Sequence, residues 1–158
     1  MREMRRRDRQ LTREETWEVL SKGEYGALCT VIPEGLPYGI PTSNVLDGER
    51  EALYFHGTSR DGQKTDNVKA CNRACLSVVT GTQVLPDRFS TRYWSANVFG
   101  TVSEVREDEE KRRGLRLLAG RYSPDFAEDG ERYPERPLHG VRVLRMDVEM
   151  VTGKARRE

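Results

Sequence analysis

The sequence predicts a small mixed β-barrel domain of the α+β class, with six antiparallel strands and three helices between or outside them. Three observations predict it. Short apolar runs of strand character follow one another between residues 25 and 57 with tight, breaker-rich turns, which favours an antiparallel meander over parallel crossover units. Three further strand-like runs come later, at 74–80, 93–106 and 141–151. Helical signals are confined to three separate stretches, so helices flank the sheet and do not alternate with every strand.

The elements are justified in chain order. Residues 1–10 are mostly charged, with Arg2, Arg5, Arg6, Arg7 and Arg9 against Glu3 and Asp8. They are expected to form a solvated or partner-contacting arm, the alternative being a nucleic-acid patch. Thr12 and Glu15 have capping-box spacing, Trp17 and Leu20 fall on one side and Gly23 supplies a stop, which predicts the first helix. The apolar run 25–32 is a strand ended by Pro33-Glu-Gly-Leu-Pro37, and 38–46 is a second. Asp47-Gly48 signals a hairpin into a third strand at 52–57. A polar loop at 58–62 leads into a short helix from 63 to about 71, then the buried strand 74–80. After a loop with Pro86 comes the long strand 93–106. Asp108 is expected to cap a helix whose apolar side is Leu115, Leu117 and Leu118. Residues 122–138, with Pro124, Pro134 and Pro137 among acids, read as a long surface loop before the last strand.

Length and composition bound the function. A chain of 158 residues makes one domain, with no internal repeat and no linker. Lys and Arg number 27 against 26 acids, a net charge of +1 that gives no reason to expect a nucleic-acid partner. No apolar run approaches the roughly 18 residues of a membrane helix. No apolar stretch follows Met1-Arg-Glu-Met-Arg-Arg-Arg, so a secretory signal is not expected. Cys29, Cys71 and Cys75 are an odd set without framework spacing, which points to a reducing cytoplasm. The spacing of Cys71 and Cys75, with no further pair, gives no metal site. Cys29 is expected to pack as a small apolar residue, and His139 to face solvent. No nucleophile elbow, phosphate-binding P-loop or dinucleotide fingerprint occurs.

Two constellations could carry chemistry. His56 ends a strand before Gly57, Thr58 and Ser59, and Arg60, Gly62 and Lys64 follow as a helix begins. Small hydroxyl residues, a glycine and a cation at a helix N-terminus suit an anion, since that end offers unpaired N–H groups and a positive dipole. The same residues also suit an ordinary loop. Ile40-Pro41-Thr42-Ser43-Asn44 lie on the strand expected to pair with 52–57. Pro within a sheet marks an edge or bulge with free backbone groups, which suits either a flat heterocycle or a plain polar edge. Alternation and a buried Phe55 would turn Tyr54 and His56 toward a cleft.

The order Arg6-Arg-Asp-Arg-Gln, Leu20, Tyr25-Gly26, Pro37-Tyr38-Gly39-Ile40-Pro41, Leu53-Tyr-Phe-His-Gly57, Gly62-Gln-Lys64 and Asn72 extends to Trp94-Ser95, Phe99-Gly100, Leu118, Tyr122-Ser-Pro124 and Val151-Thr-Gly-Lys154. It resembles the pyridoxamine 5′-phosphate oxidase-like FMN-binding split β-barrel flavoproteins, and within them the 5-nitroimidazole-resistance (Nim-type) branch. The most specific pieces are Tyr54-Phe-His-Gly57 and Gly62-x-Lys64. The resemblance implies a six-stranded antiparallel split β-barrel with flanking helices, a homodimer, and FMN in two equivalent clefts between subunits. It implies that Thr58 and Lys64, with the N–H groups from Gly57 onward, hold the phosphate, and that Pro41, Thr42, Ser43 and Asn44 follow the isoalloxazine edge. Trp94 and Ser95 match the segment that reaches the cofactor of the dimer mate, and His56 matches the active-centre histidine. The end of the chain offers no histidine of the kind the true oxidase uses, so that oxidase activity is not expected. The expected function is an FMN-dependent oxidoreductase passing electrons from a reduced nicotinamide, NADH or NADPH, to a small acceptor such as a nitroaromatic. The alternative is a flavin or haem binding module without turnover. Whether a deazaflavin replaces FMN stays open at this level.

Overall fold

The structure, a computed structural model, describes residues 2–126 and 138–157. Helix α1 (Arg13–Lys22) begins where the capping pattern predicts. Glu15 N–H donates to Thr12 Oγ1 at 3.1 Å, and Thr12 N–H donates to Glu15 Oε2 at 2.9 Å. Gly23 ends the helix for a different reason from the expected one. Its φ of −72° is open to any residue, but a Cβ there would stand 2.2 Å from Val78 Cγ1. Glycine lets the helix end lie against the sheet.

The strands are β1 (Gly26–Val31), β2 (Pro37–Thr42), β3 (Val45–Asp47), β4 (Ala52–Thr58), β5 (Arg73–Leu85), β6 (Ser90–Glu104) and β7 (Val141–Arg156). Helix α2 (Gln63–Ala70) joins β4 to β5, and α3 (Asp108–Tyr122) follows β6. Every pairing is antiparallel, in the order β2-β1-β5-β6-β7-β4-β3.

Two expectations are corrected here. The strands among the described residues number seven, not six, because the run 38–46 breaks at Ser43 and Asn44, and its halves go to different neighbours. β2 pairs with β1, placing Pro41 opposite Ala27, and only β3 pairs with β4. Pro41 and Thr42 therefore do not pair with 52–57. The reason lies in α3: Asn44 N–H donates to Tyr122 Oη at 3.0 Å, so α3 takes a bond that a strand neighbour would otherwise take. Thr42 and Val45 end on opposite edges of the sheet order, yet three residues reach at most about 11 Å. The edges must approach each other, so the sheet curls into a barrel left unjoined between β2 and β3.

Leu28, Leu53, Phe55, Leu76, Val98 and Met146 fill the barrel, all fully buried, and Val19 and Leu20 of α1 complete this cluster. On the other side of β4, Tyr54, Val45 and Val143 pack against Leu115 and Leu118 of α3. Ala52 to Phe55 are thus buried on both faces, which explains an apolar run without alternation. The expectation that Tyr54 faces a cleft is corrected by this packing: it is fully buried and its Oη donates to Glu110 Oε1 at 2.8 Å. Of the loop expected over 122–138, residues 127–137 lie outside the described residues, as does the side chain of His139. No helix among the described residues is long and apolar enough to cross a membrane.

Candidate functional site

The end of β4, the turn after it and the start of α2 form one unit. Gly62 N–H donates to Thr65 Oγ1 at 2.9 Å and that hydroxyl donates to Gly62 O at 2.7 Å, so Thr65 fixes the helix start. Fully buried Asn67 anchors α2 to the barrel. Its Nδ2 donates to Thr30 Oγ1 of β1 at 3.0 Å, and its Oδ1 accepts from Gln63 Nε2 at 2.8 Å. These bonds aim the first turn of α2, with its unpaired N–H groups, at the strand ends.

β7 supplies the remaining wall. Arg142 stands opposite Gly57 in the register. Its Nη2 donates to Asp61 Oδ1 at 2.8 Å, its Nε to Glu104 Oε1 at 3.0 Å and its Nη1 to the Arg60 carbonyl at 3.1 Å. One guanidinium thereby holds the turn against the sheet. Between these parts lies a pocket of about 250 Å³, lined from β2 by Tyr38 and Ile40, from β4 by Gly57 and Thr58, from α2 by Lys64, and from β7 by Arg142 and Leu144. A Cβ at Gly57 would stand 3.8 Å from Lys64 Nζ, so a larger side chain would take up the space before the ammonium.

The electrostatics favour an anion. Lys64 is half-buried, and no carboxylate pairs with it among the described residues. Burial, and then the Arg142 charge, pull its pKa below the ordinary lysine value. His56 is exposed at the strand end, but the atoms packed around it and then the Lys64 charge hold its imidazole below the usual histidine range. Both groups would gain from a neighbouring negative charge.

The structure brings together Gly57, Thr58 and Lys64 of the sequence-predicted site. It keeps His56 nearby but outside the pocket lining. Pro41 and Thr42 end β2 beyond Ile40, and Ser43 and Asn44 lie in the break before β3: Pro41 is exposed, Thr42 and Asn44 are buried. The Asn44 carboxamide has neither its nitrogen nor its oxygen hydrogen-bonded, although both are buried. An unmade buried bond costs about 1–3 kcal/mol, and Asn44 is fully buried and outside the lining of the pocket at Lys64. Trp94 and Ser95 lie elsewhere. Trp94 packs on Gly81, where a Cβ would meet its ring at 2.7 Å, and lines a separate hollow with Leu11, Val19 and Lys22. Sequence reasoning missed Tyr38, Asp61, Asn67 and Arg142. They enter through strand pairing and helix docking between distant segments, as Arg142 does by standing opposite Gly57.

A curled seven-stranded sheet with an anion-suited pocket at the start of α2 defines a protein of the split-barrel class. Residues 12–155 match the family described as pyridoxamine 5′-phosphate oxidase, and the chain belongs to that family. No curated protein sequence matches it. Among solved structures it is similar to a candidate 5-nitroimidazole antibiotic resistance protein from Bacteroides thetaiotaomicron, with 22% identity over 92% of this chain and 86% of that one, TM-score 0.74. It is similar to a FAD and haem binding protein from Mycobacterium smegmatis, with 23% identity over 95% and 74% of the two chains, TM-score 0.75. A FAD-binding protein from Mesorhizobium loti shares 19% identity over 94% of this chain and 97% of its own, TM-score 0.67.

Proposed function

We propose that the chain is a flavin-dependent oxidoreductase, cytoplasmic and homodimeric, that holds the phosphate of FMN in the pocket at Lys64. The observation that carries this reading is Lys64 itself: a half-buried ammonium with no carboxylate partner among the described residues, at the mouth of a helix N-terminus. Bound flavin would supply the redox chemistry between a reduced nicotinamide and a small acceptor of the nitroaromatic kind. The chain's own part is to bind the phosphate on Lys64, Thr58 and the α2 N–H groups, and to present His56 as a neutral imidazole near the site. A pocket of about 250 Å³ is smaller than the roughly 300–1,000 Å³ that encloses a ligand of this size. The rest of the cofactor therefore calls for a second copy, and Trp94 and Ser95 are its proposed contribution.

One observation favours the second reading, a flavin or haem binding module without turnover, and within it flavin over haem: the pocket lining contains no histidine or cysteine, which leaves no acid–base histidine and no such axial ligand for haem iron. The absorption spectrum of the purified protein separates the two. Flavin bands that bleach on adding NADH or NADPH support the oxidoreductase, and bands that never bleach support the module. Acid extraction then distinguishes FMN from FAD. Lys64→Ala should weaken FMN binding by about 1.5–3 kcal/mol, or about 10- to 150-fold. Equal retention by mutant and wild type would overturn the phosphate assignment.

A further inference from the structure

Cys29 on β1 and Cys75 on β5 are direct partners in the antiparallel register. Such residues stand about 4.5–5.5 Å apart at Cα, inside the roughly 4.4–6.8 Å that a disulfide bridges. Their neighbours Leu28, Thr30 and Leu76 are buried in the barrel, so the pleat turns both cysteines to the outer face. Both thiols are free and half-buried. Cys29 Sγ leans toward β2, where a Cβ on Gly39 would stand 3.7 Å away, and it donates to Ala27 O at 3.6 Å. Gly39 leaves it room to rotate about χ1 toward Cys75. Burial first, and Cys29 second, push the Cys75 thiol up to about 11, so Cys75 stands as a neutral thiol near pH 7. Cys71 lies outside this arrangement, at the end of α2 before β5 begins.

We propose that Cys29 and Cys75 form a reversible cross-strand disulfide on exposure to a low-molecular-weight disulfide. One cysteine, as thiolate, attacks the small disulfide and displaces half of it as a thiol. The other then attacks the mixed disulfide and releases the second half. The pair loses two protons and two electrons, and the two small thiols carry them away. The new bond ties β1 to β5 one residue from Thr30, whose hydroxyl holds Asn67 of α2, and it encloses the whole stretch from β2 to α2. The inference is independent of the flavin reading.

Oxidised glutathione added to the native full chain, followed by acid quenching and peptide mapping without reduction, tests it. The expected product has lost two hydrogen masses, with the Cys29 peptide joined to the Cys75 peptide and Cys71 still alkylatable. Dithiothreitol should reverse it. The oxidised chain should melt about 5–15 °C higher, since the bond restricts the unfolded state. Cys29→Ser should abolish both the joined peptides and the shift, while Cys71→Ser should keep both. A Cys71–Cys75 link, a bond between chains, or glutathione adducts without an internal bond would each overturn the proposal.

Discussion

His56 and Lys64 show how much of the site depends on charge at single residues. The atoms packed around His56 and then the Lys64 ammonium disfavour its imidazolium, so its folded pKa lies below the ordinary 6.5. As pH falls through 6.5 the unfolded chain takes this proton first. Stability should therefore drop between the ordinary and the depressed value, and stay level on either side of that window. The chain has two histidines, so proton NMR with His139→Gln assigns the His56 resonance directly. Its midpoint should lie below 6.5 in the free chain and move upward when FMN is added, because a phosphate at Lys64 offsets the charge that depresses it. An unmoved midpoint on saturation would place the anion elsewhere.

At the scale of elements, local chemistry was legible and partnership was not. The Thr12–Glu15 box and the 47–48 hairpin signal act between residues close in sequence, and both form as read. The break at Ser43–Asn44 depends on Tyr122, and the anchoring of α2 depends on Thr30, so neither leaves a local signal. Likewise Lys64 could be read as a cation at a helix start, whereas Arg142 becomes a wall of the pocket only through the β4–β7 register. Glycine was the residue whose reasons were hardest to read. Gly100 sits where the β6–β7 register shifts, and a Cβ there would lie 1.9 Å from the Asp147 carbonyl oxygen, a backbone atom that cannot rotate away. Gly120 in α3 has nothing within 4 Å of its Cβ position. Gly100→Ala should destabilise by about 2–3 kcal/mol, and Gly120→Ala should stabilise by about 0.5–1 kcal/mol through helix propensity. Denaturant melts of the two variants should shift in opposite directions. A neutral Gly100→Ala would mean that the two longest strands can change register freely.

For the whole molecule, the curled sheet follows from a topology that single runs of residues cannot display, while the class of fold was readable from strand spacing and from the Tyr54-Phe-His-Gly57 and Gly62-x-Lys64 motifs. What one chain leaves unfinished is informative. Beyond the register shift between Thr80 and Gln83, β5 and β6 continue as a two-stranded ribbon from Gln83 opposite Arg92 to Leu85 opposite Ser90. A two-stranded ribbon is marginal by itself. This one carries Val84, 67% exposed, and at its tip Phe89, 99% exposed and held at a left-handed φ of 46°. An aromatic ring fully in water at the end of a thin arm gains about 1.5–3 kcal/mol if a second copy buries it, and the small pocket at Lys64 needs a further wall. Light scattering on the purified chain should therefore give twice the 18.2 kDa of one chain. Phe89→Asp should raise the dimer dissociation constant about 10- to 100-fold and leave far-UV circular dichroism unchanged. It should also lower flavin retention if the cleft needs both subunits. A wild-type monomer that keeps its flavin would refute the shared cleft, and a Phe89→Asp dimer of unchanged affinity would remove the arm from the interface.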